Sequence, residues 1–174
     1  EMGGLKTAMI CRESNLIAKI PSTSQYRISY GSDDEVVNEA SKFISENMDF
    51  SAFFVQLDAA LNIGLEQGFD PRRADYLKSI QKYDEQVGVI FSAVASRANF
   101  IDENWMIVVT TNHGGQPDGT IGKDSRLETT PFIIFSGDNV RNRQFLLDIL
   151  TAEKGKDNAI FLRPGLTEYI KINK

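Results

Sequence analysis

The chain has 174 residues, 41% hydrophobic and 25% charged, which suits one globular domain with a sizeable core and leaves too little for two. Its net charge of −5 comes from 19 Lys+Arg against 24 Asp+Glu, and no basic block interrupts it, which argues against a nucleic-acid surface. The longest apolar runs, such as Trp105 to Val109, fall far short of a membrane span, and EMGGLK has neither the basic start nor the apolar run of a secretory signal.

Thr7 to Cys11 (TAMIC) is a short apolar run fit for a buried strand. Cys11 is the single cysteine, so an internal disulfide is impossible, and it reads as a small buried strand residue rather than a nucleophile. Ser14 is placed to cap a short helical turn through Ile20, which Pro21-Ser22-Thr23-Ser24 breaks. Ser32-Asp33-Asp34-Glu35 matches the capping box, in which serine and glutamate satisfy each other's orphan backbone donors. Behind it Val36, Val37, Ala40, Phe43 and Ile44 lie on one helical face, and Asp49-Phe50 ends the helix.

Ala52 to Leu57 (AFFVQL) reads as a second strand, followed by a polar loop from Asp58 to Gly68. Asp70-Pro71 offers an N-cap acid with proline at the first helical position. Leu77, Ile80, Tyr83, Val87, Ile90 and Val94 then recur at spacings of three and four, which predicts a helix of roughly six or seven turns. Trp105 to Thr111 is a third strand, and a second polar loop runs from Asn112 to Gly122. Pro131 to Ser136 is a fourth strand, closed by Gly137-Asp138-Asn139. Phe145 to Leu150 reads as helical, and Phe161 onward fits neither pattern clearly.

Apolar strands alternating with amphipathic helices predict one α/β domain over residues 1–174, its mostly parallel sheet covered by helices on both faces. Segments near 6–11, 51–57, 104–111 and 131–136 are expected side by side in that sheet. Ligands of such sheets bind beyond the carboxyl ends of the strands, so the two polar loops are the expected site.

At these loops the sequence resembles the alkaline phosphatase-like superfamily, in its type I phosphodiesterase and nucleotide pyrophosphatase branch. The family's Val-Val-x-Thr-Asp-His-Gly strand end is similar to Val108-Val109-Thr110-Thr111-Asn112-His113-Gly114. Its strand, Asp-x-x-Gly-His motif and following glycine are similar to Phe54-Val55-Gln56-Leu57, then Leu61-Asn62-Ile63-Gly64-Leu65, then Gly68. A long helix then supplies Tyr76, Asp84 and Val87-Gly88. The resemblance covers about residues 5 to 137 and rests on the order of three landmarks rather than on any one.

The departures matter more than the matches. The resemblance implies two divalent metals, typically zinc, held by carboxylates and imidazoles. At the aspartate and histidine of Asp-x-x-Gly-His this chain has Leu61 and Leu65, which carry no donor atoms. At the aspartate of Asp-His-Gly it has Asn112, and the family's final histidine falls on Ile121. His113, the only histidine, is left with Asn112 as a vestigial pair, and one imidazole with one amide does not make a two-metal site. No cofactor is therefore expected. The family's Thr or Ser nucleophile lies upstream of the matched region, so the chain reads as the C-terminal portion of a larger domain. Its expected partner is a missing N-terminal half or a second copy, met through an exposed sheet edge. Relatives of this type are often exported, which by resemblance suggests periplasm or cell surface.

Each remaining polar signal has a plain alternative. Asn112 before glycines is what a simple turn uses, and His113 then only packs and hydrogen-bonds at the strand end. Gly114-Gly115 can present N–H groups to an anion, but no capped helix follows. Asp33-Asp34-Glu35 suits a helix dipole, and Arg72-Arg73 a solvated face. Asp84 has no second carboxylate at a spacing that makes an acid/base pair. Three functions are left: a non-catalytic binding or scaffold domain with a degenerate metal site, a metal-dependent phosphoric ester hydrolase completed by other sequence, and an unrelated α/β binding module.

Overall fold

Ala8, Met9, Ile10 and Cys11 are buried in succession, and because successive strand residues face opposite ways, the strand they form is covered on both faces. In the computed structural model, which describes residues 5–19, 23–137 and 140, this strand is β1 (Lys6–Cys11), the centre of a three-stranded sheet. It pairs in parallel with β2 (Tyr26–Ser29) on one side and β3 (Phe50–Gln56) on the other. Ala8 faces Tyr26 across one ladder and Phe53 across the other. The chain is an α/β protein with a small parallel sheet and helices.

The chain divides into two compact units, Glu1–Glu103 with Gly115–Ile121, and Asn104–Gly114 with Gly122–Lys174. In the first, α1 (Ser14–Lys19) links β1 to β2, and α2 (Asp33–Glu46) links β2 to β3. Ser32 caps α2: its Oγ accepts the Glu35 N–H at 3.3 Å and donates to the Glu35 carboxylate at 2.9 Å. Val36, Val37, Ala40 and Ile44 are the buried face of α2, as their spacing predicts. Each of the larger side chains there contributes about 1.5–3 kcal/mol by leaving water. Phe43 of α2 stacks on Tyr26 at 4.0 Å between ring centres and meets Phe50 edge-on at 4.9 Å, joining the helix to both outer strands.

Asp58 to Gly68 is not a loop. It holds α3 (Ala59–Gln67), whose Ala59-Ala60-Leu61 start is good helical sequence, and Gly68 ends it at φ +98°. The long helix α4 (Ala74–Ala95) has 22 residues but begins four positions after Asp70. Asp70 instead holds a turn, its Oδ1 accepting the Arg72 N–H at 2.9 Å and its carbonyl accepting the Arg73 N–H at 2.9 Å. Arg97, buried just after α4, donates to the backbone carbonyls of Ile44, Asn47 and Met48 where α2 ends.

The second unit corrects the single-sheet expectation. Here β4 (Ile107–Thr110) and β5 (Ile133–Ser136) pair antiparallel in a sheet of their own, with Val109 facing Ile134. Between them lies the single turn α5 (Arg126–Thr129), where Ser125 and Glu128 form a complete capping box. The segments 145–150 and 161 onward, expected to be helical and ambiguous, lie outside the described residues.

Candidate functional site

The strand order β2-β1-β3 sends the first connection to one side of β1 and the second back across it to the other. The carboxyl ends of β1 and β3 are therefore the switch point at which parallel sheets open a crevice. Arg12 and Glu13 follow β1 there, and their N–H groups share the Gln56 side-chain carbonyl at 3.0 and 2.9 Å. Gln56 ends β3, so one amide ties both strand ends together.

Beyond β3, the entry to α3 is held from two other helices. The Asp33 carboxylate, only 6% exposed, accepts the N–H of Asp58 at 3.0 Å and of Ala59 at 2.8 Å. The Tyr83 hydroxyl of α4 accepts the Ala60 N–H at 2.8 Å. Burial pushes the Tyr83 phenol up, so it keeps its proton. Burial, and next the charges of Asp33 and Glu13, also push the Asp58 carboxyl above its ordinary value, against the pull of Arg12 and Asn62. Asp58 thus feels two neighbouring carboxylates against one guanidinium, and the N–H groups of residues 58–60 are bonded to the protein's own oxygens. An incoming phosphoryl group would meet negative charge where a helix N-terminus often offers donors.

Sequence reasoning missed this constellation. Asp33 reads as a dipole partner of its own helix and Tyr83 as one more core position. The spatial link between α2, α3 and α4 has no local sequence mark.

The positions singled out by resemblance fall in both units. Leu61 and Leu65 lie one turn apart on α3 in the first, Leu61 half-buried and Leu65 43% exposed. Segment 115–121 folds onto the far end of this helix: the Phe69 N–H reaches the Gln116 carbonyl at 3.0 Å, and Phe69 covers Gly115. Gly119 sits against the Leu65 carbonyl so closely that a Cβ would lie 2.7 Å from the oxygen. Parts of the two polar segments, 64–69 and 115–121, thus meet within the first unit, while 112–114 and 122 belong to the second. Ile121, at the end of this segment, is 41% exposed.

Asn112 and His113 belong to the second unit. Asn112 is exposed and His113 half-buried. Nδ1 of His113 lies 2.6 Å from the Gly114 carbonyl oxygen. A carbonyl only accepts, so Nδ1 is the donor in this contact. The Thr111 hydroxyl donates to the His113 carbonyl at 2.9 Å, not to the imidazole, so the two do not form a nucleophile and base pair.

Among the described residues no three His, Cys, Asp or Glu side chains are grouped to hold a metal ion. Among the same residues no helix is long and apolar enough to cross a membrane. Comparison with family models, with curated proteins and with solved structures gives no match to this chain.

Proposed function

We propose that this chain is a non-catalytic binding or scaffold domain derived from a phosphodiesterase and nucleotide pyrophosphatase-like ancestor of alkaline phosphatase-like fold. The observation that carries the reading is α3: it leaves the carboxyl end of β3, and the two positions where the resemblance requires an aspartate and a histidine are Leu61 and Leu65. Neither can donate to a cation, whatever other sequence supplies. The excess of carboxylates around Asp58 supports the same reading, because it repels the phosphoryl oxygens a hydrolase must hold. Metal assistance contributes several kcal/mol to such reactions, and each 1.4 kcal/mol or so lost is a tenfold loss of rate.

A second reading, a metal-dependent phosphoric ester hydrolase completed by further sequence, draws on His113. Its Nδ1 contact with the Gly114 carbonyl orients the ring through one nitrogen, as the second contact of a metal-ligating histidine does. Zinc and manganese analysis of the purified protein, with an assay on a bis-aryl phosphodiester, separates the two. We expect substoichiometric metal and no turnover above background. Stoichiometric metal that is lost in His113→Ala, or turnover that depends on metal, would overturn the non-catalytic reading.

A further inference from the structure

We draw no further inference here: the strongest candidate, the cluster of Glu13, Asp33 and Asp58 around the first turn of α3 at the carboxyl ends of β1 and β3, is an acidic cluster at a helix N-terminus whose N–H groups are already bonded to Asp33 and Tyr83, and nothing in the structure points to a ligand for it.

Discussion

Glu103 grips the Arg97 guanidinium with both carboxylate oxygens, at 2.7 Å from Nε and 2.8 Å from Nη2. The same guanidinium reaches the carbonyls that end α2, so one side chain joins the ends of two helices. Its charge is almost wholly out of water, which makes removal of either partner costly. Arg97→Ala is expected to lose about 3–5 kcal/mol of unfolding free energy in urea melts. Arg97→Lys should recover little, since an ammonium cannot match the forked carboxylate and the carbonyls together. A loss below about 1 kcal/mol for the alanine variant, the range of surface pairs, would show that the grip is not structural.

Asp33 makes charged hydrogen bonds to two backbone donors at the entry of α3. Asp33→Ala leaves those two part-buried donors without their acceptor, and the expected cost is about 1–2 kcal/mol. Tyr83→Phe removes one neutral bond, and about 1 kcal/mol should go with it. Amide hydrogen exchange distinguishes local from global damage. The N–H groups of Asp58, Ala59 and Ala60 should lose protection before those of β1, and unchanged exchange at 58–60 would contradict this account of the helix entry.

Asp58 sets a pH dependence opposite to that of most carboxylates. Its folded pKa is raised, first by burial and then by Asp33 and Glu13, so the folded chain holds this proton more tightly than the unfolded chain. The stability linked to it is present below the ordinary carboxylate value and is lost as pH rises through the raised folded value. The Asp58 side chain makes no capping hydrogen bond to α3, so Asp58→Asn removes the charge without costing a cap. The variant should melt higher than the parent at neutral pH and lose this falling segment. Asp70 runs the other way: hydrogen bonds from Arg72 hold it at about 2, so its small, solvent-screened contribution disappears only in strong acid. A lower melting temperature for Asp58→Asn at pH 7 would reverse the assignment.

Two glycines in one unit should respond oppositely to the same change. Gly88 lies on the exposed side of α4 with nothing within 4 Å of a Cβ, so Gly88→Ala is expected to stabilise by about 0.5–1 kcal/mol. Gly119 has φ +85° and the Leu65 carbonyl in the way, so Gly119→Ala should destabilise by more than about 1 kcal/mol. Thermal melts of the two variants side by side test both the open helix face and the close approach of 115–121 to α3.

What sequence could disclose followed from how local the cause was. Ser32 and Glu35 mark the start of α2 within three residues, and its buried face follows by period. Tyr26-Arg27-Ile28-Ser29 mixes polar and apolar positions over four residues, so β2 left no usable signal. Asp70-Pro71 carried a real start signal, but the carboxylate spent it on a turn ahead of the helix. Residues 58–68 read as a loop, yet they hold α3, and Gly64 is buried in it against Phe69, where a Cβ would lie 2.3 Å from the ring. Strand direction was not encoded either. Val108-Val109 and Ile133-Ile134 are apolar runs that serve a parallel or an antiparallel ladder equally, and here they form the latter. Leu61, Leu65, Asn112 and His113 were legible as residue types, while the Asp33–Asp58–Tyr83 arrangement required the fold.

The burial of Cys11 at the end of the central strand makes the protein its own reporter. Its thiol is shut away from solvent and burial pushes it up to about 11, so at neutral pH it stays in the protonated form that alkylating reagents do not attack. Native protein is thus effectively silent to such reagents, and each labelling event marks an opening of β1. Because β1 pairs with both β2 and β3, mass tagging at this one sulfur counts excursions of the whole parallel sheet without an added dye or engineered site.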